Sequence, residues 1–262
     1  MSRSELARRR ARLMFRIRRR FEVITETVAL GPMRLDFLRV ADPDVVLDQI
    51  VEEEDRREKL SGESRHGNEL HLPYWAELWD SAVGMGWFLV DRRSDFAHQE
   101  LATLDLGCGM GFAGIVAAAF GQRVLLADLE RDALLFAQYN ALPYSSRVRT
   151  RALDWQVAQL NERFDLILGA DVLYDRTQWA HLEPFWRRHL ASNGTVLLGE
   201  PGRQTGDQFV NWIEARGWSL DRVDVPATAR SKPIRLFLIG DNAARCAHKK
   251  IRTIRRCRVR AV

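Results

Sequence analysis

Cysteine is scarce in this chain of 262 residues: Cys108, Cys246 and Cys257 make three, an odd number, and none stands in a Cys-x-x-Cys pair. The set offers neither a disulfide framework nor a zinc knuckle and suits a reducing, cytoplasmic compartment. Long apolar runs are also missing. Nothing reaches the ~18 to 20 residues that cross a bilayer, so a soluble protein without a membrane span is expected. The N-terminus likewise lacks the continuous apolar segment of a secretory signal. His71 has no second His, Cys or acid at metal-ligand spacing beside it and reads as an ordinary loop histidine. The chain contains no internal repeat.

Acidic residues are nearly absent from both ends. Residues 1–20 carry nine Arg against Glu5, and residues 241–262 carry eight Lys or Arg against Asp241. With +8 and +7 in the ends, the formal total of +5 leaves −10 for the body between them. Anionic partners would therefore be met by the ends, as weak nucleic-acid or membrane-surface contact, while the body suits a cationic one. An Arg-rich, acid-poor start is also the composition of a mitochondrial transit peptide, although those are usually richer in Ser; on that reading the compartment is the matrix.

The length fits one α/β domain with an N-terminal extension. From Ser4 to Phe21, Leu6, Leu13, Phe15 and Ile17 sit among arginines without a continuous stripe, which predicts a basic, partly amphipathic helix that is a poor core element. EVITETVAL and MRLDFLRV flank Gly31-Pro32 as a hairpin, and a charged helix opens at Pro43 and ends at SGESRHGNE, a connector. Leu78, Ala82, Met85 and Leu89 then keep helical spacing, with Tyr74, Trp75, Trp79 and Trp87 adding bulk beside the site end of the main domain. From residue 101 short apolar runs alternate with helical segments, the pattern of βαβ units and a mainly parallel sheet. The last two runs, WSLDRVDV and PIRLFLIG, have only a loop between them and can pair only antiparallel. The division expected is residues 1–70 as extension, 71–240 as the main domain and 241–262 as a basic tail.

LDLGCGMGFAG, residues 104–114, holds two overlapping glycine phrases. One starts at Gly107 as Gly-x-Gly-x-Gly, through Gly109 and Gly111, and suggests an S-adenosylmethionine site. The other starts at Gly109 as Gly-x-Gly-x-x-Gly, closes on Gly114, and suggests a dinucleotide. Asp128, which ends RVLLAD at 19 residues after Gly109 and 17 after Gly111, would hold ribose hydroxyls in either case. Asp105 discriminates. Two residues before Gly107, its carboxylate can face an amino group but would repel a pyrophosphate. The final strands also leave no room for a hydride-transfer domain. The first phrase is therefore preferred, and Gly114 reads as a small residue that lets the next helix pack on the sheet.

With these motifs in place the sequence resembles class I S-adenosylmethionine-dependent methyltransferases, and more narrowly the family 16 protein-lysine methyltransferases, in the branch acting on electron-transfer flavoprotein β subunit. PYWAELWDSA is similar to the family's Trp-bearing segment, LDLGCGMG to motif I, VLLADLE to its ribose-binding acidic turn, and GADVLYD to its Asp-x-x-Tyr/Phe element. GEPGR at 199–203 matches that branch's GDPGR except at Glu200. The resemblance implies a Rossmann-like, seven-stranded, mainly parallel α/β sheet with an antiparallel C-terminal strand, preceded by the helical and hairpin extension. It also implies S-adenosyl-L-methionine as cofactor, held by Trp79, Asp105, Gly107, Gly109, Gly111, Asp128, Leu129, Asp154, Trp155 and Ala170. Asp171 would hold the incoming nitrogen or help it shed its proton, Tyr174 would orient the alkyl stem, and Trp75 or Tyr74 would form a wall.

A protein with an accessible lysine is the expected substrate, the enzyme is expected to be a monomer, and no metal is required. The alternatives are methylation of RNA or a small molecule, and a binding module without catalysis. The Asn/Asp-Pro-Pro-Tyr element of base-directed enzymes is absent, with DVLY in its place, although the basic ends keep RNA open.

Overall fold

Apolar runs that lack polar alternation become the central strands of a sheet covered on both faces. The computed structural model describes residues 2–61, 72–93, 100–226 and 232–241; His71, the connector after residue 61 and the C-terminal basic tail lie outside the described residues. The extension contributes α1 (Arg3–Arg18), β1 (Val23–Leu30), β2 (Met33–Val40) and α2 (Pro43–Ser61). The main sheet comprises β3 (Ala102–Leu106), β4 (Arg123–Asp128), β5 (Val148–Ala152), β6 (Phe164–Ala170), β7 (Leu190–Glu200), β8 (Trp218–Val225) and β9 (Ile234–Asp241). Its order is β5-β4-β3-β6-β7-β9-β8, parallel throughout except for β9, which runs antiparallel to both neighbours.

The helices sort by face. One apolar layer joins α1, the β1-β2 hairpin, α3 (Asp80–Asp91), α4 (Phe112–Ala119) and α5 (Arg131–Asn140). The other joins α6 (Trp179–His189) and α7 (Gln204–Glu214), with Trp179, Trp186, Trp218, Phe209 and Phe237 among its buried rings. Strand residues alternate between the layers: Val124 and Leu126 of β4 face the first, Leu125 and Ala127 the second. Among the described residues no helix is long and apolar enough to cross a membrane.

Two expectations need correction. α1 is a core element: Leu13 and Ile17 are buried, and Leu6 and Met14 pack against the same cluster. The stripe is discontinuous in sequence because Arg10 occupies one turn of it, with its guanidinium 5.8 Å from the Tyr139 ring centroid. Phe15, counted with the apolar set, is exposed. Leu78, in turn, precedes its helix. α3 begins only at Asp80, because Trp79 has extended backbone and its indole N–H donates to the Tyr74 carbonyl at 2.7 Å.

Buried Asn140 ties the extension to the site. Its side chain exchanges two hydrogen bonds with the Leu38 backbone of β2 and donates to the carbonyl of Met110 in the glycine loop at 3.2 Å.

Gly114 has the packing role read from the sequence. A Cβ there would lie 2.3 Å from Leu126 Cδ2 and 2.9 Å from Asp105 Oδ2. Gly114→Ala is therefore expected to lower stability by about 1–3 kcal/mol through overpacking. Urea unfolding measures it, and a change below about 0.5 kcal/mol would show that α4 lifts off the sheet freely.

Candidate active site

Where β3 ends, the chain turns through Gly107, Gly109 and Gly111 at φ +68°, +52° and +92°, a left-handed conformation that favours glycine, and enters α4. This lies at the switch point of the sheet, since β3 has β4 on one side and β6 on the other. Ligands of α/β folds gather in the crevice outside such strand ends. Here the crevice is a cleft of about 820 Å³, within the usual size range for small-molecule sites. Its floor is Gly107–Met110. Its sides are Asp128–Glu130, Leu153–Gln156 and Ala170–Val172, and its mouth holds Tyr74, Glu77, Trp79, Tyr174 and Arg203.

Of the residues expected at a cofactor, Trp79, Gly107, Gly109, Asp128, Leu129, Asp154, Trp155 and Ala170 line this cleft. Asp105 and Gly111 do not, and the physical reasons differ. Asp105 is 1% exposed and points into the sheet–helix interface, where Oδ2 accepts the Gly114 N–H at 2.8 Å; it fastens the start of α4 instead of facing a ligand. Gly111 serves packing, since a Cβ would stand 3.1 Å from Leu126 and 3.2 Å from Ala137.

Burial pushes the Asp105 carboxyl up to about 7, against the opposing hydrogen bond from Gly114 and with added repulsion from Asp128. A raised carboxyl pKa means the folded chain holds a proton that the unfolded chain releases near ~4, so this residue's contribution to stability declines as pH rises from about 4 through 7. Asp105→Asn keeps an acceptor for Gly114 and removes that dependence. The variant is expected to gain roughly 1–4 kcal/mol over the parent at pH 8 and little at pH 4. An equal difference at both pH values in urea unfolding would refute the assignment.

Asp128 closes the ring of the loop. Oδ2 accepts the Gly109 N–H at 2.7 Å and Oδ1 the Glu130 N–H at 2.9 Å, while burial raises its pKa to about 6. Each oxygen retains a lone pair for a hydroxyl. At the end of β5, the Leu153 N–H reaches the Asp128 carbonyl at 2.8 Å, which sets Asp154 and Trp155 beside it. The Trp155 indole donates to Gln178 Oε1 at 3.0 Å and lies 3.5 Å from where a Gly107 Cβ would be. A flat ring system beside Trp155, hydroxyls at Asp128 and backbone approach over Gly107–Gly109 fit an adenosine with a short charged chain, as in S-adenosylmethionine.

Across the cleft Asp171 follows β6 at φ +58°, the one non-glycine among the described residues with positive φ. Such strain persists where the surrounding structure over-determines it and clusters at functional sites. Here the Asp171 N–H is held by the Gly199 carbonyl at 2.8 Å. Its carboxylate pairs with Arg203 through Oδ1, and burial pushes its pKa up against the pull of that guanidinium. Tyr174 stands 5.1 Å from Tyr74 and Tyr74 6.2 Å from Trp79, ring centroid to centroid, giving an aromatic mouth beside the carboxylate. Arg203, Gln178 and Glu77 escaped the sequence reading. The GEPGR motif contained Arg203, but nothing in the chain order couples it to Asp171, 32 residues earlier. Among the described residues no cluster of His, Cys and acids could hold a metal.

The sheet order, the antiparallel β9 and the glycine loop with its acid at the next strand end define the class I S-adenosylmethionine-dependent methyltransferase fold. A glycopeptide N-methyltransferase, MtfA, solved with S-adenosyl-L-methionine, superposes on 60% of this chain and 94% of its own at a TM-score of 0.53 with 14% identity. Within that class the chain belongs to the lysine methyltransferase family, whose sequence profile matches residues 71–216. Protein N-lysine methyltransferase METTL21A of Xenopus tropicalis is 36% identical over 132 residues, covering 47% of this chain and 58% of its own. Electron transfer flavoprotein beta subunit lysine methyltransferase of Xenopus laevis is 34% identical over 137 residues, 50% of this chain and 53% of its own. The match thus spans little more than half of either relative, and differently named relatives match to similar extents; the similarity defines a family and not one branch of it.

Proposed function

We propose that this protein transfers a methyl group from S-adenosylmethionine to the side-chain nitrogen of a lysine in another protein. The observation that carries the proposal is the junction within one cleft of a nucleoside-sized glycine-loop pocket and a buried, strained carboxylate with an aromatic mouth. Family membership and the names of the relatives support lysine as acceptor. When bound, the cofactor supplies an electrophilic methyl on a sulfonium, and transfer leaves a neutral thioether. Gly107, Gly109, Asp128, Asp154 and Trp155 would hold it, with Ala170 and Trp79 closing the pocket.

The chain's own residues then supply orientation and exclusion of water. A lysine ammonium has no lone pair and an ordinary pKa near ~10.4, so it must lose a proton before it can attack. Burial of its stem between Tyr74 and Tyr174 favours the neutral amine, and Asp171 receives the nitrogen's hydrogen as it enters. The −10 of the chain between its basic ends favours a cationic acceptor. In this reading residues 71–240 carry the reaction and scarce cysteine supports a reducing compartment. Incubation with labelled S-adenosylmethionine and a cell extract is expected to place label in protein lysines, located by mass spectrometry. Label confined to RNA or metabolites would overturn the lysine reading.

A further inference from the structure

We infer that Arg203 is a specificity-determining residue, whose guanidinium occupies the cation position at Asp171 and Trp79 that the acceptor's ammonium must take by displacing it. The inference rests on the lysine reading above. Arg203 is placed by a built scaffold. Its N–H and that of Gly202 donate to Glu200 Oε2 and Oε1, both at 2.9 Å, and its carbonyl accepts from Arg235 Nη2 at 2.7 Å. Glu200 and Arg235 are themselves a buried ion pair.

From that clamped backbone the side chain reaches Asp171 Oδ1 and lies over the Trp79 ring, 5.8 Å from its centroid. The second oxygen of Asp171, Oδ2, is closed to solvent and has no hydrogen-bond partner among the described residues. While Arg203 is in place the carboxylate therefore offers no open oxygen to an acceptor.

Carboxylate and aromatic face together recognise an ammonium as well as a guanidinium. The Asp171 side chain is 6% exposed and the Arg203 side chain 38%, so the arginine is the solvated, removable member of the pair. A cationic acceptor can compete for Asp171; a neutral one has no charge with which to do so. Discrimination of this kind works by an obstacle that only the correct partner offsets. The competition also raises the concentration of acceptor needed for half-saturation.

The test uses full-length protein, tritiated S-adenosylmethionine and heat-treated cell extract as acceptor, with label counted in lysine. Arg203→Gln is expected to lower the half-saturating extract concentration by about three- to tenfold without raising kcat. Arg203→Lys, which keeps a cation there, should stay nearer the parent. S-adenosylhomocysteine affinity by calorimetry should remain within about twofold. Loss of a structural residue raises KM or lowers kcat, whereas removal of a competitor lowers KM with kcat held. Unchanged or raised half-saturation, or a parallel loss of S-adenosylhomocysteine binding, would overturn the inference while a labelling parent enzyme leaves the lysine reading standing. A parent enzyme that labels no lysine would remove both.

Discussion

Asp171→Asn is expected to reduce methyl transfer by roughly 10²- to 10⁴-fold while cofactor affinity changes little. Asparagine is the informative replacement because it tolerates the +58° φ of this position, whereas alanine there adds backbone strain. The amide retains shape and one acceptor oxygen but loses the charge that balances Arg203 and receives the proton-bearing nitrogen. The glycine loop and Asp128, by contrast, lie across the cleft and keep their mutual hydrogen bonds. Calorimetry with S-adenosylhomocysteine beside the labelling assay separates the two effects. Equal loss of both would reassign Asp171 to the cofactor pocket.

Arg235→Met is expected to cost about 3–5 kcal/mol of stability, because it leaves Glu200 as an uncompensated charge at 2% exposure. For a chain of this size that corresponds to a fall in Tm of roughly 6–20 °C. The second carboxylate on Arg235, Asp207, has a side chain 65% exposed and adds little. Adding Glu200→Gln to Arg235→Met should recover part of the loss, since the stranded charge disappears while one amide oxygen remains to accept from Gly202 or Arg203. Thermal and urea unfolding of the two variants check this. A loss below about 1 kcal/mol for the single variant would mean that water already reaches Glu200.

Both effects originate in contacts that chain order does not announce. Asp171 was legible as a functional residue because it ends an apolar strand in an Asp-x-x-Tyr element. Its pairing with Arg203 was not, since it depends on β6 and β7 lying side by side, with the Gly202 turn (φ +91°) after β7 curling back over the strand end. Arg235 stands second in β9, with no acidic residue beside it in the run PIRLFLIG. It is buried because β9 inserts antiparallel between β7 and β8, which sets it opposite Glu200 in register. Asp105 shows the converse. Its motif position suggested a ligand contact, but alternation along β3 turns its side chain under α4, where Gly114 leaves room for it.

The amino-acid order alone carries the alternation of strands and helices, the hairpin, the glycine loop, and the acids at the ends of β4 and β6. These follow from short-range rules: periodicity, turn chemistry and the residue that ends each strand. That α1 belongs to the core, that Asp105 fastens α4 and that Arg203 stands on Asp171 emerge with the packed fold. Those outcomes depend on which strands become neighbours and which face a side chain takes, and burial then turns a charge that would be indifferent at the surface into one that must find a partner.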